Sequence, residues 1–176
     1  AEGDREIAIR EADAASPKVR RIPLPMEVAG PIASLGRELV VPLRNGSLAR
    51  VDWTAGRLSG DPYQTPANPG KSVRWTMVLA LPDHRVAAAR EDGRLWLLSA
   101  ADGGWKTQHE ISFQAALVPP AAVLTTHLFA LDTERRLRVV NLQTGETALS
   151  ETLDERPVWG PFTVGARVWL GTAKGN

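Results

Sequence analysis

A phrase of turn, apolar strand, turn and second strand recurs along this chain, and the recurrence limits its fold more than any other feature. The clearest copies are "NGSLARVDWTAGR", "DGRLWLLSAADGG" and "ERRLRVVNLQTGE". The first strand position after each leading turn is Leu48, Leu95 or Leu137, and "EGDREIAIREADA" supplies an equivalent Ile7. These positions lie 41, 47 and 42 residues apart. A second turn follows each apolar strand at Ala55-Gly56, Asp102-Gly103 and Thr144-Gly145, with Ser16-Pro17 in its place in the earliest copy. An extended run opens each unit, at 31–36, 75–81, 115–123 and 161–166. Gly175-Asn176 falls 41 residues after Glu134-Arg135, where the pattern places a fifth turn.

Short apolar runs separated by Gly, Pro, Asp and Asn at this density argue for an all-β chain. Each unit reads as four strands of roughly five residues. Four strands in a period near 40–50 residues is the signature of a β-propeller blade. A β-sandwich or barrel has similar strand spacing but lacks the self-similar phrase. The sequence therefore divides into a half-blade at 1–27, blades at 28–70, 71–113 and 114–156, and a half-blade at 157–176. That is four blade equivalents, as part of a larger or two-chain ring. The halves are complementary, since 1–27 supplies third and fourth strands and 157–176 supplies first and second strands. Own-chain closure, pairing with a second copy and membership of a longer propeller all satisfy the pattern. Asn45-Gly46 and Asp92-Gly93 suit two-residue type I′ hairpins, and Glu134-Arg135 is a weaker version of the same turn.

Composition excludes several classes of function. Lys and Arg number 21 against 20 Asp and Glu, giving a net charge of +1 and no phosphate-tracking surface. Lys18, Arg20 and Arg21, the densest basic run, read as a solvated turn or strand edge. Zero cysteines exclude a disulfide framework, a thiolate zinc site and a cysteine nucleophile. No apolar run approaches the ~18–20 residues that span a bilayer, and the opening "AEGDREIAIREA" has no signal-peptide pattern. The compartment stays open, with an extracytoplasmic one favoured.

The units resemble the repeat of the PQQ-like, quinoprotein-type propellers, whose general form is D-G-x-L-x-x-L-D-x-x-T-G-x-x-x-W. The matching residues are Asn45, Gly46, Leu48, Val51, Asp52 and Gly56, then Asp92, Gly93, Leu95, Leu98 and Gly103, then Leu137, Val140, Asn141, Thr144 and Gly145. The tryptophan that follows the T-G pair in alcohol-oxidising members is absent, and Trp105 comes too early to replace it. Cysteines and a calcium-loop cluster of acidic residues, which accompany the quinone, are also absent. The resemblance thus implies the cofactor-free branch, with no cofactor, no metal and no catalytic residues. In that branch the ring is a bacterial platform for proteins or peptides.

Residue by residue, the candidate chemistry reduces to surfaces. His84, His109 and His127 have no metal-motif spacing, and Asp83-His84-Arg85 reads as a polar hairpin tip. No serine sits in a nucleophile elbow. "DGGWKT" at 102–107 resembles a phosphate loop but breaks the Gly-Lys-Thr order and precedes no helix. Trp96 and Trp169 lie on inner hairpin strands, where burial between blades is expected. Trp53 and Trp105 lie beside turns into the outer strand and are candidates for exposure. The connection "DPYQTPANPGKS" at 61–72 reads as a strand-free excursion carrying Tyr63, the only tyrosine. Trp53, Tyr63 and Trp105 form the candidate interaction surface. The reading is a non-catalytic scaffold whose partner is a protein or the remaining blades, from a second copy or a second segment. The rivals are a fragment of a quinoprotein dehydrogenase and the sensing domain of a bacterial Ser/Thr kinase.

Overall fold

The computed structural model describes residues 4–10, 19–66, 72–101 and 103–174. All its regular structure is β, in antiparallel sheets that follow one another in chain order. The first sheet pairs β1 (Glu6–Arg10) with β2 (Val19–Pro23). The second runs β3 (Ala33–Leu35), β4 (Glu38–Pro42), β5 (Ser47–Asp52) and β6 (Arg57–Leu58), with β7 (Tyr63–Gln64) also on β5. The third runs from β8 (Trp75–Leu81) through β9 (Arg85–Arg90) and β10 (Arg94–Ala101) to β11 (Gly104–Ser112). The fourth runs from β12 (Leu117–Leu124) through β13 (His127–Asp132) and β14 (Arg136–Asn141) to β15 (Thr147–Thr152). The fifth pairs β16 (Pro157–Val164) with β17 (Arg167–Thr172). The expected spacing of strands is thus present, with two-stranded sheets at each end.

The sheets stack face to face, and a strand's alternation decides which neighbour each residue meets. Val40, Leu48, Val86, Ala88, Trp96 and Leu98 form the core between the second and third sheets. Ala87, Ala89, Leu95 and Leu97 point the other way, into a core shared with Leu117, Leu128, Ala130 and Val140 of the fourth. Ile7 and Ile22 of the first sheet meet Val41, Ala49 and Val51 of the second. Burial on both faces explains why β9 and β10 read as nearly unbroken apolar runs rather than alternating ones. Trp75 and Trp96, both fully buried, pack tilted with centroids 5.8 Å apart.

Two local expectations are overturned. The turns at Asn45-Gly46 and Asp92-Gly93 are not type I′, because only the glycines have positive φ, 82° and 81°. Gly46 N–H donates to the Leu43 carbonyl and Gly93 N–H to that of Arg90, so each loop is a tight turn closed by a left-handed residue. Arg135 takes the left-handed place in the third copy, at φ 64°. Side-chain oxygens explain the preference: Asn45 Oδ1 accepts the Ser47 amide at 3.1 Å, and Asp132 Oδ1 the Glu134 and Arg136 amides at 2.9 Å. The consecutive positive-φ pair of a type I′ turn occurs instead at Asp83-His84, the polar hairpin tip.

The stretch 61–72 is not strand-free. Tyr63 and Gln64 pair with Leu48 and Ser47, so they continue the outer edge that β6 begins on Asp52 and Val51. The fourth strand of this sheet is split by the Gly60 turn (φ 75°) rather than finished at Leu58. Residues 67–71 of the same stretch, with Ser16-Pro17, Asp102 and Gly175-Asn176, lie outside the described residues.

Candidate interaction surface

Side chains from the outer part of the first three sheets reach across to the next. Arg20 on β2 donates to the Thr54 carbonyl at 2.7 Å. Tyr63 on β7 shares a 2.7 Å hydrogen bond with Thr107 on β11. Nε2–H of His109, on β11, donates to the Gln143 carbonyl at 2.9 Å. Between first strands, Thr163 on β16 donates back to the Val123 carbonyl on β12 at 3.0 Å.

Turn glycines receive two of these side chains. Gly56 (φ 70°) lies under Arg20, and a Cβ there would approach Arg20 Cδ to 3.1 Å. Gly145 (φ 75°) lies under His109, and its Cβ would come 2.6 Å from the imidazole Cγ. Gly56 and Gly145 therefore each serve both a left-handed backbone and a docking side chain from the preceding sheet, whereas Gly103 (φ 81°), the equivalent glycine of the third sheet, has open space at its Cβ. Neither docking side chain is a tryptophan.

Trp105 is not an exposed contact residue. It packs against the core between the second and third sheets, with the Arg50 guanidinium 5.5 Å from its ring centroid. Arg50 also grips Glu38 through two hydrogen bonds of 2.8 and 3.0 Å and donates to the Gly104 carbonyl at 3.0 Å. Burial pushes the Glu38 carboxyl up, but the hydrogen bonds from Arg50 and Ser59 outweigh it and hold it below its ordinary 4.5. Tyr63 is likewise half-buried against that core. Both residues are consumed in joining sheets. Of the three candidates, only Trp53 is exposed, and its carbonyl accepts Arg20 at 3.3 Å.

Trp169 reverses the opposite expectation. It is 46% exposed, with Trp159 at 45% and Phe162 at 48% beside it. Trp159 stacks on Phe162 with centroids 5.8 Å apart, and Phe162 is the cross-strand partner of Trp169. Trp159 also lies over Gly171, its own cross-strand partner, where any Cβ would collide with the indole. The register explains the exposure. Trp159, Trp169 and Gly171 occupy in the β16–β17 hairpin the places that Met77, Ala87 and Ala89 occupy in β8–β9. In the third sheet those places are buried against the fourth. In the fifth the same face is open, and β17 carries a free edge among the described residues. Trp169, expected to be buried between blades, is instead exposed, because no described sheet packs on that face of β17.

A cleft of about 690 Å³ lies where β3, β8 and β12 begin, lined by Gly30, Arg74, Trp75, Glu91, Ala115 and Glu134. Glu134 is engaged by Arg136 at 3.0 Å. The three histidines do not converge: His84 caps a hairpin, His109 docks on Gly145, and His127 contacts Thr126. No group of three metal-ligating side chains occurs among the described residues.

No family model matches the chain, and neither does any curated protein. The fold itself is widespread, with 516 solved chains matching it. One is described as the crystal structure of the computationally designed Ika4 protein. It superposes with a TM-score of 0.61 at 14% identity, over 86% of this chain and 89% of that one. Such a likeness concerns architecture alone.

Proposed function

We propose that this chain is a segment of a β-propeller of the PQQ-like type, four blade equivalents long, that serves as a non-catalytic scaffold for protein assembly. The observation that carries the reading is the open flank of the fifth sheet. Three large aromatics and an unpaired strand edge stand together there, and the two tryptophans occupy places that are buried in the third sheet. Exposed apolar surface of this kind, joined to a free edge, is what a protein partner covers by strand addition. The side-chain docking onto turn glycines supports a repeat of blades, each completed by its neighbour.

The scaffold reading expects backbone amides of residues 167–172 to be protected from hydrogen exchange when the protein is concentrated, and to lose protection on dilution. Exchange that is fast at every concentration would overturn it. The dehydrogenase alternative makes the opposite demand: adding quinone and calcium would alter the absorbance and yield dye-linked alcohol oxidation. The scaffold reading expects neither.

A further inference from the structure

We propose that two adjoining clefts bind a short free peptide of about three residues, its ammonium group held at Glu91 and Glu134 and its carboxylate at Arg135 and Arg156. Binding there does not depend on the scaffold reading.

The turn between β13 and β14 is the first support. The second and third sheets turn at this point on Asn45-Gly46 and Asp92-Gly93, and the fourth on Glu134-Arg135. Gly46 and Gly93 hold the left-handed place that Arg135 takes at φ 64°. Glycine adopts that conformation freely, whereas a side chain is strained in it, and such strain gathers at functional sites. Glu134 departs as well. Asn45 and Asp92 cap the amides of Ser47 and Arg94 at 3.1 and 3.3 Å, but Asp132 accepts the equivalent Arg136 amide at 2.9 Å. The Glu134 carboxylate is thereby released from capping.

The two side chains line different clefts. Glu134 lines the cleft of about 690 Å³ with Glu91 and Arg74, and Arg135 lines a second, of about 160 Å³, with Arg156. Val118, Pro119 and Thr133 form the wall common to both. The larger lies within the ~300–1,000 Å³ usual for small-molecule sites. Bulges shape the walls: the pairing of β8 skips Thr76, and that of β12 skips Pro119 and Pro120. Proline carries no N–H, so the second bulge leaves no donor without a partner and its wall is stiff.

Charge separates the clefts. In the larger, the carboxylates of Glu91 and Glu134 face one guanidinium, that of Arg74. Glu134 is shared with Arg136 at 3.0 Å, and the Glu91 carboxylate makes no ion pair among the described residues. In the smaller, Arg156 makes no ion pair among the described residues, and Arg135 spends one donor on the Asp154 carbonyl at 3.3 Å. Asp132, the carboxylate on that lining, is buried and already gripped by Arg138 at 2.9 Å. An ammonium therefore suits the larger cleft and a carboxylate the smaller, where guanidiniums give charge-assisted hydrogen bonds. The clefts belong to successive sheet junctions, about 10 Å apart, and an extended peptide covers that span in about three residues.

The full chain, labelled with nitrogen-15, is titrated with trialanine while the amide signals of Glu91, Thr133 and Arg156 are followed. These signals should shift together, and blocking either end, as N-acetyl-trialanine or trialanine amide, should weaken binding about tenfold. Glu91→Gln should weaken trialanine but not its N-acetyl form, and Arg156→Ala should weaken trialanine but not the amide. Arg135→Gly should raise the melting temperature yet weaken trialanine about tenfold, a combination that a folding defect does not give. No shift at these amides up to about 10 mM trialanine would overturn the site. Equal binding of the amide, or no loss in Arg135→Gly, would overturn the carboxylate's place. N-acetyl-Lys-Ala-Ala, which mimics the tail of a protein, binding as tightly as trialanine would overturn the free peptide.

Discussion

Gly145→Ala isolates the docking of one sheet on the next. The substitution costs twice. At φ 75° an alanine takes on the left-handed penalty, about 1 kcal/mol after its smaller unfolded-state entropy is counted. Its methyl would also lie 2.6 Å from His109 Cγ, 2.7 Å from Nδ1 and 2.9 Å from Cβ, so the whole side chain must move rather than its tip. Moving it forfeits the hydrogen bond to Gln143, about 1 kcal/mol, and adds rotamer strain of about 0.5–1.5 kcal/mol. The sum is roughly 2.5–3.5 kcal/mol, combining the left-handed and docking parts. Gly36→Ala is the control, because Gly36 has φ 62° and nothing within 4 Å of its Cβ. It should cost only about 1 kcal/mol. In a His109→Ala background the Gly145→Ala cost should fall to the control value, leaving a coupling of about 1.5–2.5 kcal/mol. Urea unfolding at fixed protein concentration and pH 7.5 measures all four variants. Equal costs for Gly145→Ala and Gly36→Ala, or zero coupling to His109, would refute the idea that the turn glycine is a docking seat.

Other substitutions test the remaining features. Arg135→Gly relieves an exposed arginine at φ 64° and should raise stability by up to about 1 kcal/mol, seen as a higher melting temperature. Glu38 titrates below its ordinary value in the folded chain, so its contribution is present above about pH 4.5 and is lost as pH falls through the folded pKa. Thermal melts at stepwise lower pH should therefore show less acid destabilisation in Glu38→Gln than in the parent, although the variant is weaker at neutral pH. Trp96→Ala empties a fully buried site and should cost about 3–5 kcal/mol by urea unfolding. Trp169→Ser should leave urea stability of the dissociated chain within about 0.5 kcal/mol, while lowering the binding of a solvatochromic dye.

Much of the fold was legible in the sequence because the repeat is written in turn chemistry. Gly46 and Gly93 mark hairpins whatever their turn type, since both turn types need a left-handed residue there. The type itself was not legible. It depends on Asn45 and Asp132 accepting neighbouring amides, a local bond that competes with the paired positive-φ solution. The β7 segment was hidden because two strand residues set between Pro62 and Pro66 carry no alternation to read. The roles of Trp105 and Tyr63 were missed for a different reason. A large aromatic beside a turn suits a surface or a junction equally well, and only the neighbouring sheet decides. Trp169 shows the converse: its pattern specifies burial, and exposure follows from what stands beside it.

The mass of the unmodified chain by light scattering, across a hundredfold dilution from micromolar concentrations, tests the central claim most directly. Assembly through the open flank of the fifth sheet predicts a particle heavier than 19.1 kDa that dissociates at the dilute end. A particle of 19.1 kDa at every concentration, with Trp159, Phe162 and Trp169 still open to dye, would contradict it.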